Sequence, residues 1–211
     1  PVFHFAVVAD DADMGVTVVI RGEDHISNTA RHILIQEALG VPTPLYAHLP
    51  LVLATDRTKL SKRKGAKALT QYRDSGILPE AMINFLALTG WNPAEKDAAG
   101  KEREIFNVDE LITKFRLDRV QKSSAIFNEE KLHWINKEHM KLMPASAFAD
   151  IARTTITQNF AQSPLAAAIL ASDEHLAHVS RLARERSETL VAVAEAVKGM
   201  SYLFQTPQYD P

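Results

Sequence analysis

Between Arg57 and Lys67 the chain carries six basic side chains in eleven positions: Arg57, Lys59, Lys62, Arg63, Lys64 and Lys67. The inner run Thr58-Lys59-Leu60-Ser61-Lys62-Arg63-Lys64-Gly65 has neither the helical nor the alternating period of a buried face. Ammonium and guanidinium groups make strong, charge-assisted hydrogen bonds to phosphoryl oxygens. They contribute most to a reaction when negative charge grows along it. A polyphosphate is the ligand such a loop suits. Lys59 and Lys62 stand three apart, with Ser61 between them and Gly65 just after, so both ammonium groups can reach one phosphate chain. The same run also fits a solvated face, a nuclear localisation signal or a generic nucleic-acid patch. It is not a Walker-type phosphate loop, because Gly-x-x-x-x-Gly-Lys-[Ser/Thr] is absent.

A second cluster lies upstream. The β-branched run Val18-Val19-Ile20 ends in Arg21-Gly22-Glu23-Asp24-His25-Ile26-Ser27-Asn28-Thr29. In open α/β sheets ligands sit beyond the carboxyl ends of strands, so this junction reads as a site edge. Arg21 is placed either to grip a ligand carboxylate with its fork or to pair with Glu23, Asp10 or Asp11. Glu23, Asp24 and His25 are candidate partners for ribose hydroxyls or a metal. On an extended strand three neighbours alternate sides, which disfavours the metal. Asp10, Asp11 and Asp13 suggest magnesium, but a polar turn before Gly15 is the simpler reading. His133, His139, His175 and His178 have no zinc spacing with cysteine partners, and His175 and His178 read as exposed helix residues. Arg181, Arg184 and Arg186 either touch RNA phosphates or form a solvated face balanced by Glu185 and Glu188.

The elements that must position these groups divide the chain. Residues 1–68 read as α/β. An apolar segment over Phe3–Ala9 meets a polar break at Asp10–Gly15, and Val16–Ile20 is a buried strand. A helix over Ala30–Leu39 is capped by Asn28 or Thr29, buries Ile33, Leu34 and Ala38, and stops at Gly40. Leu49–Leu53 is a further strand leading into the basic loop. Beyond about residue 70 the period is helical. Pro79 opens a helix with Met82, Phe85, Leu86 and Thr89 on one face, ended by Gly90. Trp91–Arg103 reads as a tolerant loop. Asn107 caps a helix burying Val108, Leu111, Ile112 and Phe115, and Asn128 caps another, with Phe127 and Leu132 as a staple. From Pro144 the pattern is helical again, with Phe148, Ile151, Ala152 and Thr155 on one face and Leu190, Ala194 and Val197 on another.

A chain of 211 residues, 46% hydrophobic and 24% charged, can bury a sizeable core. Its formal net charge of −2 means that any nucleic-acid surface must be local. The absence of cysteine excludes disulfides and thiolate zinc, and suits a reducing compartment. No apolar run approaches the roughly 18 residues of a membrane span, and no signal peptide is visible. The lack of an initiator Met suggests a fragment or a trimmed product.

Lys59-Leu60-Ser61-Lys62-Arg63 resembles the K-M-S-K-S signature of class I aminoacyl-tRNA synthetases. Val19-Ile20-Arg21-Gly22-Glu23-Asp24-His25 is similar to the segment that precedes it in glutamyl-tRNA synthetases. Leu117-Asp118-Arg119-Val120 and Ala125-Ile126-Phe127-Asn128-Glu129-Glu130-Lys131-Leu132 resemble the stretch after the catalytic domain of that family. Leu60 and Arg63 replace the Met and final Ser of the general signature, as is usual in the glutamyl branch. The first class I signature, His-x-Gly-His, occurs at none of the eight histidines.

The resemblance implies an α/β then all-α chain. Residues 1–68 would be the second half of a Rossmann-like catalytic domain, 69–140 a tRNA stem-contact region, and 141–211 the start of a helical anticodon-binding domain. It implies ATP with Mg2+ as substrate, L-glutamate and glutamate tRNA as partners, no zinc, a monomer, and a cytoplasmic place. Lys62, with Lys59, would stabilise the departing pyrophosphate. Glu23, Asp24, His25, Ser61 and the backbone at Leu51 and Val52 would line the ATP site. Arg21 would bind a glutamate carboxylate, beside Phe3 where the family often has Tyr. Without His-x-Gly-His, the chain alone is expected to be inactive. Two other readings are a non-catalytic tRNA-binding module and a paralogue that modifies a tRNA base.

Overall fold

The computed structural model describes residues 3–60 and 67–204. The chain forms two compact units, Pro1–Leu60 with Val120–Phe127, and Ser61–Arg119 with Asn128–Pro211.

The first unit is a small α/β body. Helix α1 (Phe3–Asp13) precedes strand β1 (Val18–Gly22), which runs through a 3-10 turn (Glu23–His25) into helix α2 (Ile26–Leu39). Strand β2 (Leu45–Leu49) pairs parallel with β1, Arg21 opposite His48. Strand β3 (Val52–Leu53) pairs parallel with β4 (Ala125–Ile126). The expected break at Asp10 is instead the last part of α1. The turn falls at Met14 and Gly15, whose φ of 65° suits glycine. Asp10, Asp11 and Asp13 thus lie on a helix and form no group of three metal-ligating side chains. Strand β1 begins two residues later than expected and is not buried, since Val18 and Ile20 are half exposed. Pro50 separates two strands and does not open one.

Helix α2 corrects two further expectations. It starts at Ile26, ahead of Asn28 and Thr29, because the 3-10 turn feeds straight into it and His25 occupies the cap position with no side-chain cap. Its buried stripe is Thr29, His32 and Gln36, while Leu34 is 65% exposed. Gly40 ends the helix in the left-handed region, as expected.

The second unit is helical: α3 (Leu69–Asp74), α4 (Pro79–Leu88), α5 (Val108–Lys114), α6 (Glu129–Leu142), α7 (Ala145–Phe160), α8 (Pro164–Leu170), α9 (Asp173–Arg184) and α10 (Leu190–Lys198). Pro79 stands in the first turn of α4, and Asn107 and Asn128 accept the backbone N–H groups of Glu110 and Lys131 as caps. The α7 face at Phe148, Ala152, Thr155 and Ile156 is buried, as are Ala194 and Val197 of α10. On α5 only Leu111 of the expected stripe is buried. The helix is two turns long, Ile112 faces outward, and Phe115 lies past its end with its ring 5.5 Å from that of Trp91. The segment expected to tolerate change is held at both ends. Trp91 is buried, and Arg103 bridges Glu95 and Glu110 while its guanidinium lies 4.5 Å from the Phe106 ring. No helix among the described residues is long and apolar enough to cross a membrane.

Candidate nucleotide and carboxylate site

Strand β1 delivers Arg21 to the covered side of its two-stranded sheet. Side chains alternate along a strand, so Arg21 shares that side with Val19, Tyr46 and His48, while Val18, Ile20, Leu45 and Leu49 face away. One guanidinium nitrogen of Arg21 donates to Thr29 Oγ1 at 2.7 Å, and the other faces His32 Nδ1 at 3.5 Å. The Tyr46 ring centre lies 5.2 Å from the guanidinium carbon. Thr29 Oγ1 also meets His48 Nε2 at 2.8 Å. The expected alternative, an ion pair with Glu23, Asp10 or Asp11, is not formed among the described residues. The guanidinium is thus held on one side by neutral groups, and its Nε is buried without a partner.

The triplet Glu23-Asp24-His25 sits on a 3-10 turn, not on an extended strand, and its three side chains point to separate tasks. Glu23 accepts the Leu51 backbone N–H at 3.2 Å and ties the turn to the approach to β3. Asp24 pairs with Lys59 at 2.5 Å. The Lys59 hydrogen bond holds the Asp24 carboxyl below its ordinary range, against the opposing effect of desolvation. His25 Nδ1 meets the Asn28 side-chain amide at 3.1 Å. Strand β3 carries the loop outward: the Val52 carbonyl accepts the Leu60 N–H at 3.2 Å, and Leu53 bridges to Lys59. Arg57 turns the chain with a φ of 62°. Arg21, Glu23, Asp24, His25, Leu51, Val52 and Lys59 therefore belong to one unit, linked through the β1 end and the β3 edge. Phe3 is exposed on α1, its ring 5.4 Å from that of His4. Ser61 and Lys62 lie outside the described residues. No cluster of three or more metal-ligating side chains occurs among those described.

Sequence reasoning placed Thr29 in the site-edge cluster but missed the polar lining contributed by His32, Gln36, Tyr46, His48 and His4. The available signal was the spacing of 29, 32 and 36, which is helical but polar. The late arginines separate: Arg181 is exposed, whereas Arg184 donates to the Met143 carbonyl at 3.0 Å and lies over the Phe148 ring, so it holds the helical unit together.

The model of the family described as tRNA synthetases class I (E and Q), catalytic domain, matches residues 1–134. The chain is 41% identical over 210 residues to a glutamate–tRNA ligase of Delftia acidovorans, covering all of this chain and 42% of that protein. It is 51% identical over 151 residues to one from Carboxydothermus hydrogenoformans, covering 72% of this chain and 30% of the relative. A crystal structure of a glutamate tRNA ligase from Elizabethkingia meningosepticum in complex with its amino acid superposes with a TM-score of 0.79 at 32% identity, over 99% of this chain and 42% of that one. The chain thus spans about two fifths of the length of these relatives. Its small parallel sheets and largely helical remainder are a region of the class I catalytic architecture. With the matched model extending over more than half its length, the chain belongs to the class I tRNA synthetases (E and Q) and is a homologue of glutamate–tRNA ligases.

Proposed function

We propose that the full-length protein joins glutamate to its tRNA through glutamyl-adenylate, and that this chain supplies the pyrophosphate-facing and glutamate-facing part of the site. A glutamate carboxylate oxygen attacks the α-phosphorus of ATP, the bond from that phosphorus to the bridging oxygen breaks, and pyrophosphate leaves. A ribose hydroxyl of the terminal adenosine of tRNA then attacks the acyl carbon, the bond from that carbon to the phosphate oxygen breaks, and AMP leaves. Such a reaction needs no side-chain nucleophile. It is accelerated by positioning and by donors aimed at growing charge. Arg21 carries the reading. It is a half-buried cation, seated on neutral groups and unpaired by any carboxylate among the described residues. A guanidinium so placed is completed by an anion from outside.

The remaining assignments extend this reading. Lys59 exchanges its Asp24 partner for the phosphate chain, and Lys62 with Ser61 follows the leaving group. Glu23, Asp24 and His25, with the backbone at Leu51 and Val52, border the nucleotide. Phe3 contributes a ring edge without a phenolic hydrogen bond. Magnesium travels with ATP, and no zinc is called for. Residues 69–140 contact the tRNA stem and 141–211 begin the anticodon-binding region. The protein acts as a cytoplasmic monomer.

The test is ATP–pyrophosphate exchange with glutamate and tRNA, using the full-length protein and its Lys62→Ala variant. Loss of one charge-stabilising donor is expected to slow adenylate formation by about 3–4 kcal/mol of barrier, with little change in glutamate requirement. An unchanged single-turnover rate would remove Lys62 from the mechanism. This chain by itself is expected to give no exchange.

A further inference from the structure

Helix α2 buries three polar residues, Thr29, His32 and Gln36, each no more than 9% exposed, while Leu34 and Leu39 face solvent. Burying polar groups costs free energy unless they are hydrogen-bonded, so such a stripe is retained for a use. All three serve one neighbour group. Thr29 accepts from Arg21, and His32 faces Arg21. Gln36 Nε2 donates to the Tyr46 hydroxyl at 3.0 Å, and the Tyr46 ring lies against the same guanidinium. A guanidinium only donates. His32 Nδ1 must therefore present a lone pair to Arg21, which puts the imidazole proton on Nε2. His32 Nε2 lies 3.0 Å from His4 Nδ1, and the other nitrogen of His4 faces the exposed Arg31 guanidinium, so the assignment is set by the Arg21 contact and not by His4.

We propose that the Thr29–His32–Gln36 stripe is the positioning cradle of Arg21, and that the aim of the fork depends on His32 presenting Nδ1 to it as an acceptor. The proposal rests on the reading of Arg21 as the residue that binds the glutamate carboxylate. Protonating His32 removes the acceptor and sets a second cation against Arg21. The groups around His32 decide when that happens. Arg21 comes from β1, His4 and Asp11 from α1, and His25 from the 3-10 turn. Arg31 of α2 faces the far nitrogen of His4 at 3.4 Å, and His48 and Tyr46 of β2 share Thr29 and Arg21. Asp11 alone favours the charged form. Burial, then Arg21 and His4, outweigh it and hold His32 below the ordinary imidazole range. Glutamate capture should therefore weaken on the acid side, at a pH set by His32 and not by the substrate.

The test uses the full-length protein with 15N-labelled histidine, titrated from about pH 8 to about pH 5, across the ordinary histidine range. The His32 signal, identified by its absence in His32→Gln, is expected in the Nε2–H tautomer, titrating below the exposed histidines. An Nδ1–H tautomer or an ordinary titration would overturn the proposal. In exchange assays, His32→Phe is expected to raise the glutamate KM on the order of tenfold, the scale of one lost hydrogen bond to a charged group, with kcat nearly kept. His32→Gln, whose amide oxygen can accept but does not titrate, is expected to restore the KM and flatten its acid rise. A His32→Phe enzyme with the parental KM and pH profile would overturn the cradle if Arg21→Gln loses glutamate. If Arg21→Gln keeps its glutamate affinity, the carboxylate reading itself falls, and the cradle with it.

Discussion

The two units spend their interiors differently. In the helical unit Phe106, Leu132, Ile135, Met140, Phe148 and Ile156 are fully or almost fully buried. Its buried polar groups hold backbone in place. Asn136 accepts the Leu78 N–H and donates to the carbonyls of Gly76 and Glu188, and Asn84 accepts the Phe106 N–H. Of the large apolar residues described in the α/β unit, Val8 is fully buried, and His32 and Gln36 lie almost as deep, with Thr29 close behind. Its sheet turns Arg21, Tyr46 and His48 inward and leaves Val18, Ile20, Leu45 and Leu49 largely exposed. Apolar burial stabilises by roughly 25 cal/mol per Å2. The α/β unit forgoes much of that in exchange for donors and acceptors at fixed positions. One unit is organised for stability and the other for reach.

The largest effect that separates them is Phe148→Ala. Emptying this site should cost about 3–5 kcal/mol of unfolding free energy, read by urea denaturation of the chain. It removes the α7 face and the ring under Arg184. A loss below 1 kcal/mol would mean that the helical unit is not organised around this core. The counterpart in the other unit is Arg21→Lys. A lysine keeps the charge but loses the fork. Glutamate binding in the full-length protein should weaken by about 1.5–3 kcal/mol, the range for hydrogen bonds to charged groups, while thermal stability changes little. The reverse outcome, unaltered glutamate KM with a lowered melting temperature, would make Arg21 a structural cation and erase the contrast.

The legibility of the sequence follows the same division. In the helical unit local signals agree with packing. Pro79, Asn107 and Asn128 mark helix starts, and apolar residues at helical spacing mark the buried face of α7 and, at Met82 and Phe85, that of α4, although Leu86 of the expected α4 face is half exposed. The motif Arg21–His25 and the basic loop could be found because chemistry-bearing residues cluster in sequence. What failed was reading apolar residues as inward in the α/β unit. Hydrophobic periodicity reports the inside only where the inside is apolar. Leu34 and Ile20 were misplaced because Thr29, His32 and Arg21 occupy the covered side. The turn geometry of Glu23–His25 was equally invisible, since the same residues could have continued the strand. Partners distant in sequence, such as Asp24 with Lys59 or His4 with His32, had no local signal at all.

A smaller effect tests whether the helical unit also carries ionisable groups as structure. The Tyr72 hydroxyl donates to Glu129 at 3.0 Å, and Lys67 pairs with the same carboxylate at 3.0 Å. Burial, then the Glu129 carboxylate, push the Tyr72 phenol from 10.0 up to about 12. The folded value lies above the unfolded one, so between them the unfolded state binds fewer protons. This contribution to stability is complete below the ordinary phenol range and is lost as pH rises toward the folded value. Unfolding measured on the alkaline side should show that decline, and Tyr72→Phe should remove it. An alkaline slope unchanged by the substitution would place its origin elsewhere.

The smallest expected effect bears hardest on the α/β unit. Ile20 is 53% exposed, although its neighbours Val19 and Arg21 face the covered side. Exposed substitutions away from special features usually change stability by within about 0.5 kcal/mol. Ile20→Thr keeps the β-branched shape, and in this chain it should fall in that range by urea unfolding. Parallel sheets are normally covered on both faces, so the prediction has a definite rival. A loss of about 1.5–3 kcal/mol, the worth of a fully buried aliphatic side chain, would mean that this face is packed in solution. The α/β unit would then have an apolar layer on the side facing away from Arg21, and the division between a stable unit and a reaching one would become a division between the two faces of a single sheet.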